Sequence, residues 1–169
     1  MRSVQIGCGL VGSIIANDMS SSGFNVTVAD LNEKVLAGLK SENPALTAVV
    51  ASCTDDVRLR EILKDADIVT AGVPGKFGRK MMETVIRSGK NLCDISFMAE
   101  DFEELDGIAK EYGVTVIPDI GVAPGMSNFL VGRGAALLDE VEKAVIYVGG
   151  IPHRPVPPFN YQITWSAAD

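Results

Sequence analysis

The chain has 169 residues, 47% of them hydrophobic, which is enough for one domain with a real core but too few for two complete domains. Its 22 acidic residues outnumber the 15 basic ones, and the net charge of −7 excludes the basic surface that a nucleic-acid-binding protein needs. The three cysteines are far apart and odd in number, so they match neither a disulfide framework nor a CxxC metal motif. The single histidine also argues against a zinc site. We therefore expect no metal and no nucleic acid partner.

The first residues enter an apolar run without the pattern of a signal peptide. No apolar stretch reaches the roughly 18 residues that a membrane span needs. The sequence therefore predicts no membrane partner and a cytoplasmic location.

Short apolar runs alternate with helical periods along the first two thirds of the chain, a pattern typical of a parallel sheet with crossover helices. The predicted strands are 4–6, 26–29, 48–51, 67–71, 91–96 and 114–117. The predicted helices are 11–21, a helix capped by Asn32 and ended by Pro44, 55–63, 78–88, and an acidic-starting helix over 100–112. This order predicts an α/β fold, a Rossmann-type doubly wound parallel sheet.

The composition changes after Pro118. A glycine- and proline-containing loop over 121–125 precedes a predicted helix over 127–138, a predicted strand over 145–148, a proline-rich stretch and a predicted strand over 161–165. These elements do not make an independent unit. We therefore expect one complete domain over 1–119 and, over 120–169, the beginning of an incomplete second domain.

A GxGxxG motif, GCGLVG, joins the first predicted strand to the first predicted helix. Gly7 would make the tight turn, Gly9 would let the backbone approach a pyrophosphate, and Gly12 would allow the helix to pack closely on the strand. Asp30 ends the next strand, at the spacing of an acid that binds the ribose hydroxyls of NAD. Leu31 follows it instead of an arginine, so the motif favours NAD over NADP. The alternative is a glycine turn with an incidental aspartate.

The residues around this motif are expected to belong to the same site. Leu10 and Val11 begin the predicted helix, where free N–H groups meet phosphate charge. Leu31 follows the acid, so we assign it to the cofactor site as well.

A second candidate region lies at the ends of the fourth and fifth strands, on the edge where open α/β sheets bind ligands. Val73, Pro74 and Ser96 would form a wall of the nicotinamide pocket. The alternative for Val73 and Pro74 is a Pro-Gly turn that only reverses the chain. For Phe97 and Met98, after Ser96, we favour a role as core residues at a loop anchor.

No residue pattern identifies the catalytic group. The sequence has no HExxH or GxSxG motif and no convincing pair of carboxylates. Cys8 is expected to fill space in the glycine loop, since a reactive thiol requires a lowered pKa. His153, in the proline-rich stretch, is expected to be a loop residue. The catalytic residue therefore stays unknown at this stage.

Several segments resemble the saccharopine dehydrogenase family, and most strongly its lysine 6-dehydrogenase-like members. They are residues 6–12 with Asp30, 72–78 (GVPGKFG), 94–98 (DISFM), 118–128 (PDIGVAPGMSN), and 147–152 with 161–166 (YVGGIP and YQITWS). The GVAPG and GGIP segments are far more specific than the glycine motif. The resemblance spans nearly the whole chain.

The resemblance implies an NAD-dependent oxidoreductase that acts on the CH–NH or CH–NH2 group of an amino acid, with hydride transfer through an imine. It implies a small amino-acid substrate, a homodimer of longer subunits, and places for Val73, Pro74 and Ser96 near the nicotinamide. With the glycine motif, it assigns residues 1–119 to an NAD-binding domain and 120–169 to the beginning of an incomplete α+β substrate or dimerisation domain. It also implies, more weakly, a position for Pro124, Gly125 and Asn128 at a domain junction. We expect these 169 residues alone to have little or no turnover, because the substrate pocket needs further chain.

The chain departs from its close relatives at two positions. Phe97 stands where they carry a tyrosine, so any role of that hydroxyl is absent. Ser52 stands where they often place an aspartate near the adenine, and Asp55 follows a few residues later. A different class of function, a non-catalytic NAD-sensing domain, shares the glycine motif and the acid. It would not need the GVAPG and GGIP segments, so these favour the enzyme.

Overall fold

The computed structural model describes residues 1–149, 152–158 and 160. The chain divides into two compact units, Met1–Asp119 and Ile120–Asp169. The first unit holds the whole sheet and five of the α-helices, so it contains every residue predicted to bind the cofactor.

The first unit alternates strands and helices. The strands are β1 Arg2–Ile6, β2 Asn25–Asp30, β3 Thr47–Val50, β4 Ile68–Ala71, β5 Leu92–Asp94 and β6 Val116–Ile117. The helices are α1 Leu10–Ser21, α2 Glu33–Glu42, α3 Asp56–Leu63, α4 Gly75–Arg87 and α5 Asp106–Tyr112, with a short 3₁₀ helix at Phe102–Leu105. The predicted elements of this unit are all present, with shifts at their ends.

The six strands form one sheet in the order β3-β2-β1-β4-β5-β6, and every described pair is parallel. Ile6 at the end of β1 pairs with Ala29 on one side and with Ala71 on the other. The strand order reverses between β1 and β4, which is where doubly wound sheets bind ligands at their carboxyl edge. The predicted Rossmann-type fold is confirmed.

Two clusters of buried apolar residues hold the helices on the sheet. One combines Val4 and Ile6 of β1 with residues of α3 and α4, among them Leu59 and Met81. The other combines β2 with α1 and α2 and includes Val28. Burial of such side chains contributes about 1.5 to 3 kcal/mol each, so these clusters fix the strand ends that carry the site.

Two predicted helices have different limits in the structure. Helix α4 begins at Gly75 rather than at 78, because Pro74 occupies the N-cap and the glycine fits against neighbouring backbone. A Cβ on Gly75 would lie 1.9 Å from the carbonyl oxygen of Phe97. The acidic segment over 100–112 was predicted as one helix, but it divides into the 3₁₀ helix and α5. Asp101 caps the 3₁₀ helix by accepting from the N–H of Glu103.

The second unit contains helix α6, Met126–Ala135, which ends three residues before the predicted limit at 138. The prediction of a strand over 145–148 is wrong, because these residues form no strand in the described chain. A strand needs a partner for its backbone groups, which an apolar run does not supply by itself. The strand predicted over 161–165 lies outside the described residues. The assignment of this unit to a substrate or dimerisation domain stays a prediction.

The described residues contain neither a membrane-spanning helix nor a cluster of metal ligands. None of their helices combines the length and apolar character that a membrane span requires. They also contain no group of three or more His, Cys, Asp or Glu side chains that could hold a metal ion.

Candidate functional site

The glycine loop after β1 packs so closely that side chains do not fit at two of its positions. Gly7 has a φ of 82°, and a Cβ there would lie 2.4 Å from the carbonyl oxygen of Gly72. A Cβ on Gly12 would lie 2.0 Å from the carbonyl oxygen of Gly7. Gly7 therefore makes the turn beside β4, and Gly12 lets α1 pack on the loop, as the motif predicts.

Gln5 supports this loop through hydrogen bonds, and this role was not predicted from the sequence. Its buried side-chain amide donates to the carbonyl oxygens of Ile6 and Gly7, at 3.1 and 2.9 Å, and its Oε1 accepts from the hydroxyl of Thr70 at 2.6 Å. Buried amides need such partners. The signal in the sequence was a polar residue inside an apolar strand, two positions before the motif.

The start of helix α1 is open to a ligand. Its N-cap, Gly9, offers no side-chain cap, and the first turn contains no acidic residue. A Cβ on Gly9 would meet nothing within 4 Å. Leu10 and Val11 are exposed, at 84% and 51%. The first N–H groups of a helix lack intrahelical partners, so this end presents donors and partial positive charge to an anion.

Helices α2 and α3 are capped by side chains of this chain, whereas α4 and α5, like α1, have no side-chain cap. Asn32 accepts from the N–H groups of Lys34 and Val35 at the start of α2, as predicted. Asp55 accepts from the N–H of Arg58 at the start of α3. This cap is the structural role of Asp55. The uncapped start of α1, together with the open space beside Gly9, supports a ligand-binding role for the glycine loop.

The Asp30 carboxylate is fixed at the end of β2. Its Oδ2 accepts from the backbone N–H of Cys8 at 2.7 Å, and its Oδ1 accepts from the N–H of Asn32 at 2.8 Å. Each oxygen thus has one backbone donor and retains acceptor capacity for a second hydrogen bond. Leu31, next in the chain, is exposed at 66%. The carboxylate is therefore ready to accept from hydroxyl groups of a ligand.

A cleft of about 340 Å³ lies over the carboxyl ends of β1, β2 and β4. It brings together most of the residues predicted at the cofactor site. Its lining consists of Gly7, Gly9, Ala29, Asp30, Leu31, Ala51, Cys53, Gly72, Val73, Pro74 and Phe77. Leu10, Val11, Gly12 and Ser96 do not line this cleft.

The cysteines near the cleft are not activated. Burial, and secondly the negative charge of Asp30, raise the pKa of the Cys8 thiol to about 12. Burial also raises the pKa of the half-buried Cys53. Nucleophilic cysteines require the opposite shift, so Cys8 fills space in the loop as expected.

A chain of hydrogen bonds joins the ends of β4 and β5. The hydroxyl of Ser96 accepts from the backbone N–H of Val73 at 3.0 Å and donates to Oδ1 of Asp94 at 2.7 Å. Ser96 and Val73 are buried, whereas Pro74 is exposed. The wall predicted for the nicotinamide pocket is therefore a rigid, hydrogen-bonded edge.

The two residues after Ser96 do not share one role. Met98 is buried in the core cluster with α4, as expected for a loop anchor. Phe97 is 59% exposed, so its assignment to the core was wrong. A Cβ on Gly78 would lie 3.0 Å from the Met98 side chain, which shows that α4 packs on Met98 and leaves Phe97 outside.

Asp94 and Asp119 form a buried acidic feature that the sequence did not indicate. Asp94 is 0% exposed, and burial, opposed by hydrogen bonds from Ser96 and reinforced by the charge of Asp119, raises its pKa to about 6. Burial also raises the pKa of Asp119. An oxygen of each, Asp94 Oδ2 and Asp119 Oδ1, is buried without a hydrogen-bond partner among the described residues.

The remaining residues singled out from the sequence have local roles or none. Ser52 shares a hydrogen bond of 2.8 Å with the hydroxyl of Thr54. His153 is exposed. In the second unit, Oδ1 of Asn128 accepts from the N–H of Gly125 at 3.3 Å, which closes the GVAPG loop onto α6.

The site fits a pyridine dinucleotide by its own geometry. The uncapped start of α1 supplies donors for a pyrophosphate, the open space beside Gly9 admits it, and Asp30 supplies acceptors for a ribose. The comparisons with known proteins agree. A family model described as the saccharopine dehydrogenase NADP binding domain matches residues 3–117. The chain belongs to this family.

Characterised relatives have the same family name. The chain is 27% identical to "Saccharopine dehydrogenase [NADP(+), L-glutamate-forming]" of Pyricularia oryzae and 26% identical to the Saccharomyces cerevisiae protein of that name, matching 97% and 96% of this chain. It spans 38% of the length of each. The family resemblance seen in the sequence is confirmed.

Solved structures support the fold. Apo histidine-tagged saccharopine dehydrogenase (L-Glu forming) from Saccharomyces cerevisiae has a TM-score of 0.71 at 24% identity, over 80% of this chain and 31% of that one. Biliverdin reductase from Synechocystis sp. PCC 6803, solved with biliverdin and NADP+, has a TM-score of 0.61 at 13% identity, over 80% of this chain and 42% of that one. These likenesses establish the fold alone.

Proposed function

We propose that this chain is the nucleotide-binding part of an NAD-dependent oxidoreductase that acts on the CH–NH or CH–NH2 group of an amino acid. The substrate would be lysine or saccharopine, as in lysine 6-dehydrogenases and saccharopine dehydrogenases. Membership of the saccharopine dehydrogenase family supports the reaction class, and the fixed Asp30 carboxylate supports the cofactor.

The preference for NAD rests on charge at the end of β2. NADP carries a phosphate on the adenosine ribose, at the position where Asp30 would accept from the hydroxyl of NAD. The residues after Asp30 are Leu31, Asn32 and Glu33, so no neighbouring cation in this segment offsets the repulsion. The names of the two relatives include NADP(+), whereas the proposal assigns NAD to this chain, so the two cofactors can be compared directly in an experiment.

The residues of the chain would bind and orient the reactants. The N–H groups at the start of α1 hold the pyrophosphate, and Asp30 holds the adenosine ribose. The edge formed by Val73 and Ser96 would hold the nicotinamide. A bound nicotinamide would supply the acceptor for a hydride from the carbon next to the substrate nitrogen. The protein therefore contributes placement, which is most of what hydride transfer requires.

The direct test is turnover by the full protein, assayed by the absorbance of the reduced nicotinamide. L-lysine and saccharopine would each be offered with NAD and with NADP. We expect one of the amines to be oxidised with a higher kcat/KM for NAD. A higher kcat/KM with NADP would contradict the cofactor assignment. Tight nucleotide binding without oxidation of either amine would support the sensing domain instead.

We further propose a cytoplasmic homodimer, in which these 169 residues alone would have little turnover. Exposed apolar side chains of the second unit support an association surface, because monomeric proteins rarely leave such groups uncovered. They include Phe129, Leu130, Leu137, Leu138 and Tyr147. Sedimentation of the full protein as a clean monomer would contradict the dimer.

A further inference from the structure

The carboxyl ends of β5 and β6 place two acids beside each other. Cys93 pairs with Ile117 in the parallel ladder, which puts Asp94 across from Pro118 and Asp119 one residue further. Adjacent strands lie about 4.8 Å apart. Asp119 has a φ of 51°, a conformation that aspartate tolerates better than most residues and that turns the chain at this point.

Each of the two acids has a buried carboxylate oxygen that no described group donates to. Oδ1 of Asp94 accepts from the N–H and hydroxyl of Ser96, at 3.1 and 2.7 Å, but Oδ2 is buried without a partner in the described part of the chain. The same holds for Oδ1 of Asp119. Buried polar atoms in native proteins are nearly always paired, so two such oxygens at one edge indicate a missing donor.

The missing donor would carry positive charge. No described salt bridge involves Asp94 or Asp119, and the groups that act on the pKa of Asp94 are Ser96 and Asp119, neither of them a cation. Burial raises the pKa of both carboxyls, and the charge of Asp119 raises the pKa of Asp94 further, as expected where no cation faces them. A cation with several N–H donors would satisfy both oxygens and remove the repulsion.

The acids are linked to the edge that would hold the nicotinamide. Asp94 accepts from the Ser96 hydroxyl, and that hydroxyl accepts from the N–H of Val73. A cation bound by Asp94 would therefore lie near the end of β4, where the proposed function requires the substrate nitrogen.

We propose that Asp94 and Asp119 bind the positively charged nitrogen of an amine substrate. This inference rests on the proposed function, because it names the part of the site that recognises the amine. Asp119 is half-exposed, whereas Asp94 is fully buried, so the nitrogen approaches past Asp119.

The test compares two ligands that differ in one cationic group. L-lysine carries a side-chain ammonium, and L-norleucine has a similar aliphatic side chain without it. Each would be titrated calorimetrically into the full protein loaded with NADH, so that lysine is not oxidised. The wild type should prefer lysine. Asp94→Asn and Asp119→Asn should each weaken lysine binding by about 10- to 100-fold and leave norleucine affinity unchanged.

A matched control removes a buried oxygen elsewhere. The hydroxyl of Ser3, on β1, is also buried without a partner in the described chain, so Ser3→Ala should leave lysine affinity unchanged. NADH affinity should be retained by all three variants. If Asp94→Asn alone lost NADH binding, Asp119→Asn would decide, since the Asp119 side chain makes no described hydrogen bond.

The outcomes separate this inference from the proposed function. Unchanged lysine affinity in both aspartate variants, with lysine oxidised by the wild type, would overturn the amine site and leave the function standing. Failure of the wild type to oxidise any amine would overturn the function. Equal losses of lysine and norleucine affinity would show a general structural role and would also overturn the amine site.

Discussion

The acidic residues at the two sides of the sheet differ in how their carboxylate oxygens are hydrogen-bonded. At the end of β2, both oxygens of Asp30 receive a hydrogen bond from the backbone, from Cys8 and Asn32. At the ends of β5 and β6, Asp94 and Asp119 each keep a buried oxygen without a partner in the described residues.

The carboxylate at one side of the sheet is therefore paired within the chain, whereas the carboxylates at the other side have buried oxygens that lack donors in the described residues. The chain itself fixes Asp30 and leaves it able to accept from a ribose, so the nucleotide side is preorganised. The other side has acceptors that the described chain does not satisfy, and a ligand cation would complete it. Substitutions that disturb the packing at Gly12, remove the charge of Asp94 and remove the Asn32 cap test this difference.

The largest effect is expected from Gly12→Ala. Its Cβ would lie 2.0 Å from the carbonyl oxygen of Gly7, so α1 must move away from the loop, at a cost of at least about 3 kcal/mol in the free energy of unfolding. Gly9→Ala is the matched variant, since its Cβ meets nothing within 4 Å. It should cost less than about 1 kcal/mol and still impair NAD binding. Equal destabilisation in urea unfolding would contradict the packing role of Gly12.

Asp94→Asn should change the pH dependence of stability. The pKa of Asp94 rises from 3.8 to about 6 on folding, mainly through burial. The folded state therefore holds this proton more tightly, and the stability that it contributes is present at low pH and lost as pH rises through about 6. Asparagine keeps the acceptor for Ser96 without the charge.

Urea unfolding of Asp94→Asn and the wild type across pH would measure this effect. The variant should gain about 3 kcal/mol over the wild type above pH 6, and the gain should shrink towards pH 4. A difference that is constant with pH would show that Asp94 does not titrate in this window. Ser3→Ala, which removes a buried hydroxyl without a titratable group, serves as the control.

The smallest effect is expected from Asn32→Ala. This change removes the side-chain cap of α2 at a cost of about 1 kcal/mol, but keeps the backbone N–H that donates to Asp30. NAD affinity should therefore be retained. Asp55→Ala removes the equivalent cap of α3 and should cost a similar amount. A large loss of NAD binding in Asn32→Ala alone would mean that the cap, and not only the backbone, positions Asp30.

The sequence predicted features that depend on local patterns. The alternating apolar runs located all six strands, the GxGxxG spacing located the loop, and Asn32 was recognised as a cap because capping is a local interaction. The strand over 145–148 was wrong because pairing depends on a partner that an apolar run does not specify.

The missed residues depend on distant contacts. Gln5 supports the glycine loop while it is held by Thr70, and Asp94 is affected by the charge of Asp119; the sheet brings each of these two pairs together across neighbouring strands. Phe97 and Met98 were both assigned to the core as a loop anchor, yet packing of α4 buries only Met98. A single sequence shows residue types and spacing, but not which of two adjacent side chains faces a helix.

The central claim, that Asp30 selects NAD, is tested most directly by calorimetric titration of the full protein with NAD and with NADP, repeated with Asp30→Ala. The account predicts tighter binding of NAD than of NADP by the wild type. It also predicts that the variant loses NAD affinity and most of the discrimination. Tighter binding of NADP by the wild type, or unchanged discrimination in Asp30→Ala, would contradict the account.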